Sequence, residues 1–147
     1  MTVEVRPVAA ADRAAWGALY AGYAAFYKVT QTDAMRDTVW GWLMDPGHAV
    51  TGFVAVLEGQ VIGIAHARAF ARPLSASTGG FLDDLFVSPD ARGTGAAQAL
   101  IAAVVAEGRA RGWSVIRWIT AGDNGRARAV YDRVAVEGPW VTYDIKL

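Results

Sequence analysis

The chain has 147 residues, of which 54% are hydrophobic and 19% charged, a composition typical of one folded domain spanning residues 1–147. Its 14 basic and 14 acidic side chains cancel, which argues against binding to nucleic acid or to a membrane surface. No apolar run reaches membrane-spanning length and no signal-peptide pattern begins the chain, so we expect a cytoplasmic protein. Cysteine is absent and there are only two histidines, so we expect no disulfide, no thiolate nucleophile and no metal site.

The first third of the chain is predicted to form one short strand and two helices. Residues Val3 to Arg6 alternate between apolar and polar side chains, which is typical of a strand. Apolar side chains then recur at spacings of three and four and predict an amphipathic helix that carries Trp16, Leu19, Tyr20, Tyr23 and Phe26 or Tyr27. A second helix is expected to begin at Thr32 or Asp33 and to end near the helix-breaking Pro46.

The middle of the chain is predicted to supply three strands. Two apolar runs, His48–Leu57 and Val61–Phe70, are joined by a short turn as in a β-hairpin. The polar and glycine-rich residues Arg72–Gly80 predict a loop, and Phe81–Val87 predicts the strand that follows it.

The last part of the chain is predicted to alternate between helices and strands. We expect a long helix from about Gly95 to Arg111, a strand over Val115–Thr120, a short helix over Asn124–Val134 and a last strand over Trp140–Leu147. The order βααβββαβαβ predicts an α/β (α+β) fold in which helices pack on the faces of a mixed sheet.

The segment between the fourth strand and the long helix is the most informative. Gly93 and Gly95 free the backbone to turn its N–H groups toward one point, and the helix start adds unpaired donors, so the loop can bind a pyrophosphate. Arg92 can add a charged contact. A P-loop needs Gly-Lys-Ser/Thr, and Gln98 breaks a dinucleotide fingerprint, so ATP and NAD fit poorly. The alternative is an ordinary strand-to-helix turn.

Two motifs carry a family resemblance. Arg92-Gly93-Thr94-Gly95-Ala96-Ala97 resembles the Arg/Gln-x-x-Gly-x-Gly/Ala signature of the GNAT superfamily of N-acetyltransferases. The later stretch from Asn124 to Asp132 is similar to the second signature of that family, Asn-x-x-Ala-x-x-x-Tyr. The resemblance implies a mixed, mostly antiparallel sheet and transfer of an acetyl group from acetyl-CoA to a primary amine by direct attack in a ternary complex.

The resemblance also implies which residues bind acetyl-CoA. The loop backbone would hold the pyrophosphate at Arg92, Gly93, Thr94, Gly95, Ala96 and Ala97. The strand residues Leu85, Phe86 and Val87 would pair through their main chain with the pantetheine arm, and Asn124 would contact that arm. The N–H group of Val87 or of a neighbour is a candidate donor to the thioester oxygen.

The candidate catalytic residues are Tyr131 and Asp83. Tyr131 matches the tyrosine of the second signature, and a phenol can protonate a thiolate leaving group; the alternative is a core aromatic. The resemblance makes Asp83 the candidate base and Asp84 the candidate partner of the substrate ammonium, although either can simply pair with an arginine or face solvent. Strand alternation predicts that the two side chains point to opposite faces. We expect His66 to be packed and hydrogen-bonded.

The acceptor and the partners are less closely defined. Tyr27 is assigned to the amine-binding site, where aromatic faces attract ammonium, although such aromatics of the first two helices are more often core residues. The aromatic pattern of these helices resembles the fungal branch that acetylates histones, polyamines and D-amino acids, so the acceptor is a small-molecule or peptide amine. Self-association in that branch and the edge strand Trp140–Leu147 predict a homodimer. The alternative function is a catalytically silent acetyl-CoA-binding regulatory module.

Overall fold

The computed structural model describes residues 2–147, which form a five-stranded sheet with helices on both faces. In chain order the elements are β1 (Glu4–Pro7), α1 (Arg13–Phe26), α2 (Asp33–Met44), β2 (Val50–Leu57), β3 (Gln60–Arg72), β4 (Ser77–Val87), α3 (Ala96–Arg111), β5 (Ile116–Arg117) and α4 (Gly125–Val134). Neighbouring strands follow the order β1-β2-β3-β4-β5 and are antiparallel except for the parallel pair β4–β5. The predicted mixed, mostly antiparallel sheet is therefore confirmed. No helix within residues 2–147 is long and apolar enough to cross a membrane.

The central strands are covered on both faces. On β2 and β3, Val54 and Ile64 pack against α1 and α2, while Ala55 and Ala65 pack against α3 on the opposite face. This alternation follows from the two-residue period of a strand and produces two apolar clusters. The cluster under α1 includes Trp16, which is fully buried. Helices therefore pack on both faces of the sheet beside the polar residues of the candidate site on β3 and β4.

The hairpin between β3 and β4 is longer than predicted. The expected loop Arg72–Gly80 shrinks to a short turn, because β3 continues to Arg72 and β4 already begins at Ser77. The glycines of this segment serve packing rather than a loop. A Cβ at Gly80 would lie 2.2 Å from the ring of Trp113, so only glycine lets that ring lie on the strand.

The C-terminal part of the sheet differs from the prediction. The strand expected over Val115–Thr120 is reduced to the two residues of β5, and the expected last strand over Trp140–Leu147 is absent from the described residues. Residues 135–147 form neither helix nor strand, and their apolar side chains are exposed. The alternating pattern at the end of the chain has β-propensity, but a strand also needs a hydrogen-bonding partner, and this segment pairs with none within residues 2–147.

Candidate active site

The glycine loop before α3 has the geometry of an anion site. Gly93 and Gly95 have φ angles of +81° and +82°, which favour glycine, and no atom lies within 4 Å of where a Cβ would stand. The hydroxyl of Thr94 donates to the carbonyl of Ala91 at 2.7 Å and fixes the loop. Gly95 directly precedes α3, whose first N–H groups have no carbonyl partner within the helix. The loop backbone therefore fits a pyrophosphate, and Arg92 is an exposed residue at its first position.

Strands β4 and β5 diverge beside this loop. They pair only at Gly80 with Ile116 and at Phe81 with Arg117, so within residues 2–147 no strand covers the rest of that edge of β4. Ser88 N donates to Ile62 O on β3 at 2.8 Å. Since main-chain groups alternate along a strand, the N–H of Val87 points away from β3 and toward the open edge. The segment from Leu85 to Val87 can therefore accept an extended ligand arm, and Val87 can donate to a carbonyl oxygen.

Helix α4 carries Asn124 at its N-cap and Tyr131 in its second half, and Tyr27 of the α1 end lies near both. Asn124 begins the helix by accepting from Ala127 N at 3.3 Å, and its amide nitrogen donates to the Tyr27 hydroxyl at 3.4 Å. The Tyr131 ring packs edge-on against Trp118 at 5.4 Å between centroids. Burial, with a smaller contribution from Tyr27, raises the pKa of Tyr131 to about 12. The phenol is therefore protonated at neutral pH, as an acid must be.

A β-bulge on β4 determines where Asp83 and Asp84 point. His66 lies opposite Asp84 and Ala67 lies opposite Leu82, so Asp83 is the extra residue. The expectation that the two carboxylates face opposite sides of the sheet is wrong, because the bulge shifts the alternation by one position. Both line one cavity of about 400 Å³, whose other walls are Tyr20, Val39, Trp42, Val50, His66 and Arg68.

Asp84 is the end of a buried hydrogen-bonded chain. Trp16 Nε1 donates to His66 Nε2 at 2.9 Å, which makes that nitrogen an acceptor and leaves the proton on Nδ1. His66 Nδ1 then donates to Asp84 Oδ2 at 2.8 Å, and the Tyr20 hydroxyl donates to the same oxygen at 2.9 Å. His66 is thus packed and hydrogen-bonded, as predicted, and has no free nitrogen to act as a base.

The two carboxylates have opposite pKa shifts. Burial favours the neutral form of Asp84, but the hydrogen bonds from His66 and Tyr20 outweigh it and hold its pKa below the usual value. Partial burial raises the pKa of Asp83, although Arg68 Nε donates to both of its oxygens at 3.2 and 3.0 Å. Asp84 is therefore a permanent negative charge, and Asp83 is the better proton acceptor. No three His, Asp or Glu side chains are grouped as metal ligands within residues 2–147.

Three residues of the site were given no role from the sequence: Tyr20 and Arg68, which line the cavity, and Trp16, which donates to His66 behind it. The signals for them were spacings. Trp16 and Tyr20 are four residues apart on α1 and share one face, and His66 and Arg68 are two apart on β3 and share one face. What the sequence could not supply was the register that brings these two faces to Asp83 and Asp84.

Comparisons with known proteins agree with this geometry. The sequence model described as the acetyltransferase (GNAT) family matches residues 16–135. The chain is 27% identical over 143 residues to the D-amino-acid N-acetyltransferase HPA3 of Saccharomyces cerevisiae. The aligned region covers 96% of this chain and 89% of that protein.

Two solved structures share the fold. A ribosomal-protein-alanine N-acetyltransferase from Brucella melitensis biovar Abortus has a TM-score of 0.84 at 24% identity and covers all of both chains. The aminoglycoside N-acetyltransferase AAC(6')-Iy, solved in complex with CoA, has a TM-score of 0.83 at 23% identity and covers 98% of this chain and 94% of that chain. At such identities the likeness is one of fold.

Proposed function

Because the chain belongs to the acetyltransferase (GNAT) family and is an acetyltransferase, we propose that it moves the acetyl group of acetyl-CoA to a primary amine of a small molecule. The observation that carries this proposal is the cavity containing Asp83 and Asp84, two adjacent carboxylates with opposite pKa shifts. A carboxylate of lowered pKa can hold the substrate ammonium, and one of raised pKa can remove its proton.

The donor site would be formed by the loop from Arg92 to Ala97 and by the open edge of β4. The loop backbone would hold the pyrophosphate, and the main chain from Leu85 to Val87 would pair with the pantetheine arm as with an added strand. Asn124 would contact the same arm from the start of α4. Bound acetyl-CoA supplies an activated thioester, so the enzyme itself needs no covalent intermediate.

Each step of the reaction would then be assisted by a different residue of the chain. Asp84 holds the substrate ammonium, and Asp83 accepts its proton directly or through one water molecule. As the bond from nitrogen to the acetyl carbon forms and the bond from carbon to sulfur breaks, the N–H of Val87 donates to the acetyl oxygen. Tyr131 gives its hydroxyl proton to the departing sulfur, and the second proton that the acetylated nitrogen must lose returns the Tyr131 phenolate to a phenol, directly or through water. Most of the rate gain comes from holding amine and thioester together.

The acceptor site would be the cavity under α1 and α2. Its apolar walls include Val39 and Trp42, and its volume of about 400 Å³ suits a small molecule. The relative HPA3 is named for D-amino acids, so we propose an amino acid as the first acceptor to test, ahead of polyamines and a lysine peptide. Tyr27, whose ring lies 4.9 Å from that of Tyr23, would form the wall between this cavity and Tyr131.

Free-thiol release from acetyl-CoA tests this function. We expect turnover with at least one class in a panel of amino acids of both hands, polyamines and a lysine peptide. Turnover should depend on both the amine and the enzyme. Binding of acetyl-CoA in a calorimeter without turnover of any amine would instead support the silent regulatory module.

We also propose a homodimer in which the segment Trp140–Leu147 of each copy pairs with the β5 edge of the other. Val141, Tyr143 and Ile145 alternate along this segment, and each is at least 75% exposed. A groove of about 1210 Å³ runs along the short strand β5 and helix α4. An exposed apolar edge segment and an open strand edge satisfy each other by pairing.

Light scattering tests the dimer. We expect the full chain to have twice the monomer mass at assay concentration, and a chain that ends at Pro139 to be monomeric with α-helical content retained. A monomeric full chain, or a truncated chain that stays dimeric, would contradict this pairing.

A further inference from the structure

Arg68 holds a fixed guanidinium at the cavity that contains Asp83 and Asp84. Its Nε atom donates to both oxygens of Asp83, and its Cζ atom lies 5.0 Å from the centre of the Phe81 ring. The side chain is 40% exposed. Neither of its Nη atoms donates a hydrogen bond to any group within residues 2–147. One edge of the guanidinium is therefore used for positioning, and the two Nη atoms stay available to a ligand.

Three charged groups line the cavity and offer a binding group for each end of a zwitterion. Asp84 supplies a negative charge, and Arg68 is paired with Asp83 through Nε alone, so its two Nη donors have no partner within residues 2–147. The remaining walls are uncharged, since His66 receives a hydrogen bond on one nitrogen and donates with the other. A simple amine satisfies Asp84 but leaves the Nη atoms of Arg68 unpaired. A molecule with both an ammonium and a carboxylate can pair with Asp84 and with the Nη donors of Arg68.

We propose that Arg68 is a specificity-determining residue that binds a carboxylate of the acceptor through its Nη atoms. The planar guanidinium matches a carboxylate in a paired, charge-assisted contact. The preferred acceptors are then free amino acids whose amine meets Asp84 and whose carboxylate meets Arg68. Their side chains lie against the apolar walls at Val39, Trp42 and Val50. This inference rests on the proposed function, because it assumes that the amine to be acetylated binds in this cavity.

The test compares an amino acid with its own carboxamide, which keeps the amine and the side chain but loses the negative charge. In the wild-type enzyme we expect kcat/KM for the amino acid to exceed that for the carboxamide by about 10- to 100-fold. In Arg68→Gln this preference should fall to near one, through loss on the amino acid. Arg68→Lys should keep part of the preference, since lysine keeps the charge without the planar pair of donors.

The ratio of the two substrates is the readout because Arg68 also contacts Asp83, and a change at Asp83 would affect both substrates alike. Arg72→Gln is the matched control. Arg72 lies on the same strand but donates to Ser114 instead, so its loss should leave the preference unchanged.

Two outcomes would overturn the inference: a wild-type enzyme that does not distinguish the two substrates, or an Arg68→Gln variant that keeps the full preference. In either case the proposed function, acetyl transfer to an amine, would be unaffected. Absence of turnover with every amine would instead overturn the proposed function, and this inference with it.

Discussion

Replacing Tyr131 with phenylalanine is expected to lower kcat by about 10²- to 10⁴-fold while binding of acetyl-CoA stays nearly unchanged. The substitution removes the hydroxyl that gives a proton to the leaving sulfur but keeps the ring that packs against Trp118. The measurement is kcat from thiol release, together with acetyl-CoA affinity from calorimetry. Tyr143→Phe, in the exposed C-terminal segment, is the control and should have wild-type activity.

The pH dependence adds a second check on Tyr131. Its pKa is raised to about 12, so the phenol stays protonated throughout the pH range in which enzymes are normally assayed. A catalytic acid loses its proton, and the rate falls, only when the pH rises through the pKa of that acid. Over the assayed pH range, wild type and Tyr131→Phe should therefore have alkaline limbs of the same shape. Unchanged kcat in that variant would contradict the acid role.

Replacing Asp83 with asparagine is expected to lower kcat by about 10²- to 10³-fold and to remove the acid limb of the pH profile. Asp83 accepts a proton only when ionised, and burial raises its pKa above the ordinary 3.8. The wild-type rate should therefore fall as pH drops through this raised pKa. Ionisation of the substrate amine affects wild type and variant alike, so the difference between the two profiles reports Asp83.

The contrast with Asp84 makes this prediction specific. Asp84→Asn should mainly raise KM for the amine, because its lowered pKa makes it a permanent charge rather than a proton acceptor. The amide oxygen can still accept the hydrogen bonds of His66 and Tyr20, so the fold is kept. Asp37→Asn, at an exposed carboxylate on α2, controls for the loss of one charge. An Asp83→Asn variant with wild-type kcat would assign the base elsewhere.

The local parts of this account could be predicted from the sequence. Helices α1 and α3, the loop at Gly93 and Gly95, and the placement of Asn124 and Tyr131 on one short helix depend on contacts between residues close in the chain. Periodicity, glycine conformations and short motifs report such contacts directly. For this reason the glycine loop before α3 formed close to the expected boundaries.

The arrangement of the cavity could not be predicted in the same way. The bulge at Asp83 exists only relative to the register between β3 and β4, and the bond from Trp16 to His66 joins residues 50 positions apart. Strand alternation gave the wrong face for one of the two aspartates because a single inserted residue shifts the period. The strand prediction for the C-terminal segment was wrong for a related reason, because the side-chain pattern does not reveal whether a partner strand is present.

The most direct test of the central claim is to quantify both products of one reaction with acetyl-CoA and an amino acid, by thiol titration and by mass spectrometry of the amine. The account predicts one free thiol for each amine that carries a new acetyl group, with neither product formed when the amine is left out. Thiol release without an acetylated amine, or tight binding of acetyl-CoA without either product, would contradict it.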